Sequence, residues 1–310
     1  MAWYLIVVCC AAAALALLLL YASLRSALAL TRPIRHPDGR ARSYDGALFG
    51  DCFRDYDQVW DRTPFTLDVG DAVLSGEYIV HPQGRDRVVI VSHGHTINRF
   101  ASVKYAHIFY QLGWSILLYD QRYFGHSTGR CCTLGQRETD DLVKVMAYAR
   151  GVFGRDCLIG LHGESMGGAT VLNVLSRETP AFVVADCPFA DTETLLRYLL
   201  PYRTHLPNFP VLPLTRLMGR LLFGYDFRKV SPQRAVAAAQ VPICLIHGDG
   251  DRLIPCSHSQ ALYAACRDPR SELHLVPGAH HAMSFAADRQ AYEDVMTAFV
   301  TKCIEKEKPI

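Results

Sequence analysis

The stretch Gly163-Glu164-Ser165-Met166-Gly167-Gly168 limits what this chain can fold into more than any other. An apolar run, Cys157-Leu158-Ile159-Gly160-Leu161, leads into it, and a segment of helical spacing follows. Glycines on both sides of the serine fit a sharp turn between a strand and a helix, where larger side chains would strike the backbone. Such a turn holds the serine hydroxyl at the tip of a sheet, beside a helix N-terminus. The pattern alone is short and common. Its place between a strand and a helix makes it informative.

The rest of the chain keeps the same rhythm. Strands are predicted at Phe65–Val69, Gly76–Val80, Arg87–Ser92, Ser115–Asp120, Cys157–Leu161, Phe182–Asp186, Ile243–His247 and Glu272–Val276. Runs such as Val88-Val89-Ile90-Val91 are apolar throughout, as in strands covered on both faces of a parallel sheet. Helical patterns lie between them at Phe100–Leu112, Thr139–Phe153, Gly167–Arg177, Ser257–Cys266 and Ala286–Lys302. The alternation implies an α/β fold with a mostly parallel sheet of eight strands and helices on both faces. The long connection between the strands at 182–186 and 243–247 breaks the rhythm. It reads as an inserted helical cap at about 190–238, centred on Leu195–Phe227.

Met1–Leu24 carries no charged side chain, and Trp3–Leu20 is almost wholly aliphatic. About 20 apolar residues suffice to cross a bilayer as a helix. Trp3, Tyr4 and Tyr21 suit the two interfaces. A cleaved signal peptide would call for a positive start and a shorter apolar stretch, so an uncleaved anchor is expected over 1–30. Arg25, Arg32, Arg35, Arg40 and Arg42 follow it, opposed by Asp38. The positive-inside rule then places the following domain in the cytoplasm. Residues 31–60, with Pro33 and Pro37, read as a tether ending in a short helix near Tyr56–Trp60. The folded domain is expected over 61–310.

Composition excludes some classes. Hydrophobic residues make up 50% and charged residues 20%, which suits a packed core rather than a disordered chain. A net charge of +2, from 32 basic and 30 acidic residues, gives no sign of nucleic-acid binding. Eleven cysteines, irregularly spaced and without a CxxC pair, resemble neither a disulfide scaffold nor a zinc site. They fit reduced thiols.

A serine nucleophile needs a base, and the base needs an orienting acid. Two loops downstream offer both. His247-Gly248-Asp249-Gly250-Asp251-Arg252-Leu253-Ile254-Pro255 follows one apolar strand, and Pro277-Gly278-Ala279-His280-His281-Ala282 follows the next. The chain order is serine, aspartate, histidine.

With His93-Gly94 and the block Asp120–Ser127, these residues resemble the α/β-hydrolase superfamily in its serine-hydrolase branch. Within it the chain is similar to membrane-anchored esterase-like and serine-aminopeptidase-like members. The resemblance covers roughly residues 60–305. It implies Ser165 as nucleophile. Asp251 matches the acid of the family's HGxxDxxVP pattern, with Ile254 in the valine place; Asp249 and Asp186 are the alternatives. His281 matches the base of GxGH, and His280 replaces the second glycine. The oxyanion donors implied are the N–H groups of Met166 and of His95. Asn98 is expected to brace that loop, Arg122 to tie neighbouring loops, and Tyr123 and Phe124 to line the pocket. His93 and His95 are expected as loop architecture rather than metal ligands. No metal or organic cofactor is called for.

The expected activity is hydrolysis of a carboxylic ester or related acyl bond in a small-molecule or lipid-like substrate. A peptidase or acyltransferase would use the same triad. A catalytically idle binding or scaffold protein usually lacks a triad member, whereas this chain keeps all three. The cap adds one clue. Arg197–Lys229 holds six basic residues and one acid, Asp226. Leu214, Leu217, Met218, Leu221 and Leu222 fall near helical spacing, which suggests an apolar face, with Arg216 and Arg220 on another.

Overall fold

The computed structural model describes residues 1–304; the last six residues of the domain expected over 61–310 lie outside the described residues. Three helices come first, α1 (Ala2–Thr31), α2 (Asp38–Leu48) and α3 (Gly50–Gln58). The alternating part then runs β1 (Arg62–Asp68), β2 (Val73–Ile79), β3 (Arg87–Ser92), α4 (Val103–Gln111), β4 (Ser115–Tyr119), α5 (Gln136–Phe153), β5 (Leu158–Glu164), α6 (Met166–Asn173) and β6 (Phe182–Asp186). After it come α7 (Thr192–Thr204), α8 (Asn208–Phe223), α9 (Pro232–Ala238), β7 (Ile243–Gly248), α10 (Ser257–Ala265), β8 (Glu272–Val276), α11 (Ser284–Ala287) and α12 (Arg289–Ile304).

The eight strands form one sheet in the order β1-β2-β4-β3-β5-β6-β7-β8. The pairings β1/β2 and β2/β4 are antiparallel, and the other five are parallel. Successive side chains alternate between two cores, as strand geometry requires. Val89 and Val91 of β3, Ile116 and Leu118 of β4, and Cys244 and Ile246 of β7 face α3, α4 and α12. Val88 and Ile90, Leu117 and Tyr119, and Ile243 and Leu245 face α5, α6, α9 and α10. Burial on both faces explains why these strands read as unbroken apolar runs.

Three expectations need correcting. Residues 31–60 are not mainly a tether. They hold α2 and α3, and Phe49, Cys52, Phe53, Tyr56 and Trp60 are core residues. The cap is α7 and α8; α9 contributes Ala235 and Val236 to the helical layer on the sheet, so the expected range of 190–238 was too long. The buried face of α8 is Val211, Leu212, Thr215, Gly219 and Phe223, while Leu217, Leu221 and Leu222 are exposed. The reason is close packing: Gly219 lies against the Tyr225 carbonyl, with no room there for a large side chain.

Helix α1 is long and apolar enough to cross a membrane, with a mean hydropathy of 2.8 over its 18-residue window and none of that window buried. Its last turns behave differently. Ser23, Ala27 and Thr31 are buried, and Ala27 joins the apolar cluster of the cap.

Candidate active site

The turn between β5 and α6 is strained at one residue. Ser165 holds φ +57° and ψ −116°, outside the ordinary regions for a non-glycine residue. Its neighbours make that possible. A Cβ on Gly163 would overlap the Gly167 backbone, and one on Gly167 would overlap the Ser92 carbonyl. The Ser165 N–H donates to the Asp186 carbonyl at 2.8 Å, which fixes the turn to β6.

Ser165 Oγ lies 2.9 Å from His281 Nε2, and His281 Nδ1 lies 2.6 Å from Asp251 Oδ2. Since the carboxylate accepts at Nδ1, Nε2 is left as the acceptor of the serine proton. The loops after β5, β7 and β8 thus bring together residues far apart in sequence, at the C-terminal edge of the parallel strands.

Asp251 is held from several directions. Its Oδ1 accepts the N–H groups of Leu253 at 2.8 Å and Ile254 at 2.9 Å. His247 Nε2 donates to the Ile254 carbonyl at 2.8 Å and lies 3.3 Å from Asp251 Oδ2. Burial works to raise the Asp251 pKa, but hydrogen bonds from His247, His281 and the Ile254 N–H outweigh it and hold the carboxyl well below its usual range. His247 is a contributor to the site that sequence reasoning left without a role. Its place at the head of the HGxxD block was the available signal.

The alternatives fall elsewhere. Asp249 accepts the Gly278 N–H at 2.6 Å, as a turn residue does. His280 is exposed, with Nδ1 at 3.1 Å from the Gly250 carbonyl. Asp186 is fully buried and meets the hydroxyls of Tyr105 and Ser284, each at 3.3 Å.

The loop after β3 carries the second expected donor. His93 is buried, and burial pushes its pKa down, so the ring is neutral. Its Nε2 accepts the Gln121 N–H at 2.9 Å and its Nδ1 donates to the Gly94 carbonyl at 2.7 Å. Asn98 caps the turn that follows, accepting the Phe100 N–H at 3.2 Å. Met166 opens α6, so its N–H has no partner within the helix. Arg122 joins Asp141 of α5 at 2.7 Å to Asp71 of the β1–β2 turn at 3.1 Å.

Tyr123 and Phe124 depart from expectation. Phe124 is fully buried, edge-on to His93 and His95, and Tyr123 donates its hydroxyl to the Pro33 carbonyl at 3.1 Å. They hold the loop rather than line the cavity beside the base. That cavity, about 680 Å³, is walled by His281, Met283, Ile97, Asn98, Lys104 and Tyr44. Lys104 is buried between Asp45 at 3.1 Å and Glu164 at 3.6 Å. Burial disfavours its charge, but Glu164 and Asp45 outweigh that and raise its pKa above the ordinary value.

Two groups of potential metal ligands occur among the described residues, Asp51/Cys52/His107 and Cys187/Asp251/His281, each with its atoms within 4.8 Å of one another. The first is engaged by Arg289 and Asp55, and the second reuses the acid and base.

The sheet, the strained serine turn and the three converging loops define a hydrolase of the α/β-hydrolase fold. The family model described as the prolyl oligopeptidase family matches residues 131–307, and the chain belongs to that family. The Bacillus subtilis (strain 168) protein YqkD is 34% identical over 253 residues, covering 81% of this chain and 82% of that one. Escherichia coli (strain K12) YfhR is 26% identical over 226 residues, covering 71% and 72%. Among solved structures, the Pyrococcus furiosus esterase Pf2001 superposes with a TM-score of 0.66 at 22% identity, over 80% of this chain and 95% of that one. Est1E from Butyrivibrio proteoclasticus, with ferulic acid bound, gives 0.62 at 17% identity, over 78% and 100%. At these identities the structural likeness speaks for the fold.

Proposed function

We propose that this chain is a membrane-anchored serine hydrolase that cleaves a carboxylic ester or related acyl bond. The observation that carries the reading is the unbroken line from Ser165 Oγ through the His281 ring to Asp251, at 2.9 and 2.6 Å. Ser165 Oγ attacks the acyl carbon, and its proton passes to His281 Nε2. The N–H groups of His95 and Met166 hold the oxyanion. The bond to the leaving group then breaks as His281 returns the proton to the leaving oxygen. Water attacks the acyl-enzyme, gives its proton to His281, and the carboxylic acid departs as Ser165 regains its hydrogen. Helix α1 anchors the enzyme, and the arginines after it set the catalytic domain on the cytoplasmic side. Eleven free thiols fit that compartment. Substrate is small or lipid-like, and no cofactor takes part.

The likeness in fold to the Pyrococcus esterase supports an ester substrate. The family match favours a second reading, peptide-bond cleavage by the same triad. A panel of ester and peptide substrates separates the two. The triad is tested by fluorophosphonate labelling in detergent. Wild type is expected to label and Ser165→Ala not to. Equal labelling of both, or undiminished hydrolysis by Ser165→Ala, overturns the assignment.

A further inference from the structure

A second cavity, about 280 Å³, lies between the last turns of α1 and the cap helices α7 and α8. Its walls include Ala29, Leu30, Leu196, Leu199, Leu212 and Leu253, with Arg203 exposed at the rim. Apolar lining with one cation at the edge suits a hydrocarbon chain with a polar or anionic head.

Its depth relative to a bilayer follows from α1. Residues 2–22 at 1.5 Å each span about 31 Å, close to the roughly 30 Å hydrocarbon core. Ser23 is the first buried residue of α1, and its hydroxyl meets the Val211 carbonyl of α8 at 3.3 Å. Arg32 lies over the Phe223 ring at 5.4 Å, so α1 and α8 run side by side in the same direction. Phe209, at the membrane-proximal end of α8, is 79% exposed. The helix therefore meets the cap from Leu19 on, as it leaves the hydrocarbon, and the cavity begins at Ser26.

The cavity also abuts the catalytic loops. The Leu30 carbonyl accepts from His95 Nε2 at 3.2 Å, and the Leu253 N–H donates to Asp251 at 2.8 Å. A general acid must sit beside the leaving oxygen, so the 680 Å³ cavity walled by His281 and Lys104 holds the leaving group. The acyl part then lies on the other side of the serine, where Met166 packs in one apolar cluster with Leu196, Leu200 and Leu212 of the cavity walls.

We infer that the cavity between α1 and the cap is the acyl site of this enzyme. It takes the chain of a single-chain amphiphile from the membrane surface, while the polar leaving group occupies the cavity at His281. This rests on the reading of the chain as an anchored serine hydrolase.

Two arms test it on the full chain in detergent. In the first, Ser165→Ala is irradiated with dodecanoic acid carrying a diazirine, and the adducts are mapped by mass spectrometry. Adducts are expected in peptides from the end of α1 and from α7–α8. Adding Ala29→Trp or Leu199→Trp, which fill the cavity from two different helices, should remove them. Adducts elsewhere, or unchanged by both tryptophans, overturn the site. This arm needs no turnover, so its failure is separate from failure of the hydrolase reading, which fluorophosphonate labelling reports. In the second arm, the ratio of kcat/KM for dodecanoyl over acetyl nitrophenyl esters is measured. It should fall about tenfold or more in either tryptophan variant, and Leu199→Ala should shift preference to longer chains. Val7→Trp, on the free part of α1, should leave the ratio unchanged. A ratio indifferent to all three cavity variants overturns the proposal.

Discussion

At the scale of single residues, the site depends on how one carboxylate is held. Asp251 receives two backbone N–H groups on one oxygen and meets two imidazoles at the other. Its charge fixes the His281 tautomer. Asp251→Asn would offer an amide N–H to Nδ1 and favour the wrong tautomer. We expect kcat to fall roughly 10³- to 10⁴-fold with KM little changed, as steady-state kinetics on an ester would show. A loss below about tenfold would move the acid's role to another residue. Asp186 behaves differently. Burial, with a further push from Glu164, raises its pKa from 3.8 to about 6. A carboxyl that holds its proton more tightly when folded stabilises most at low pH. That contribution begins to fall as pH rises past the unfolded value of 3.8 and is gone above about 6. Asp186→Asn imitates the protonated form. Urea unfolding should therefore show the variant gaining on wild type by about 2 kcal/mol between about pH 4.5 and pH 7.5. A flat difference over that interval would contradict the raised pKa.

At the scale of elements, α2 and α4 meet the serine turn through Lys104. Its ammonium is shared by Asp45 of α2 and Glu164, the residue before Ser165. Lys104→Met would leave two buried carboxylates facing each other. We expect a loss of about 3–5 kcal/mol in urea unfolding, with partial recovery when Asp45→Asn is added. A loss below about 1 kcal/mol would show the pair to be solvated. This junction also marks what the sequence could not reveal. Strands β3 and β6 were legible to the residue because burial on both faces writes an apolar run into the chain. Residues of the serine turn were legible because only glycine fits beside it. Helix α2 was not, and α3 was foreseen only as a short helix near Tyr56–Trp60. Their turns are rich in charge, and their anchors are ion pairs with distant residues: Asp45 with Lys104, Asp51 with Arg289, Asp55 with His107. A helix held by partners elsewhere in the chain has little local signature. The spacing of Cys52, Phe53, Tyr56 and Trp60 was its one trace. The face of α8 was misread for a related reason, since its buried face runs through Val211, Leu212, Thr215, Gly219 and Phe223 while Leu217, Leu221 and Leu222 point outward.

At the scale of the whole molecule, α1 is two things along one axis. Its first turns touch no other part of the fold, whereas its last turns are built into it. The Thr31 carbonyl accepts the Cys132 N–H at 2.8 Å, the Leu30 carbonyl meets His95, and Ala27 packs in the cluster that holds Met166 and Leu196. If α1 only tethered the domain, it would be separable at its junction with it. It should be separable only above Leu19, the first of its residues to pack on the cap cluster. Removing residues 1–18 should give a protein that stays in solution without detergent and unfolds in urea at the same midpoint as the full chain. Removing residues 1–31 should cost about 3 kcal/mol or more, from lost apolar burial at Ala27, Leu28 and Leu30 and lost hydrogen bonds to the cap and the loop at His95. It should also lower kcat, because the His95 ring loses the partner that orients its loop. Equal stability of the two truncations would make the last turns of α1 a passive leash. A stability step between them would make the last turns of α1 part of the folded domain, with the candidate active site assembled against them.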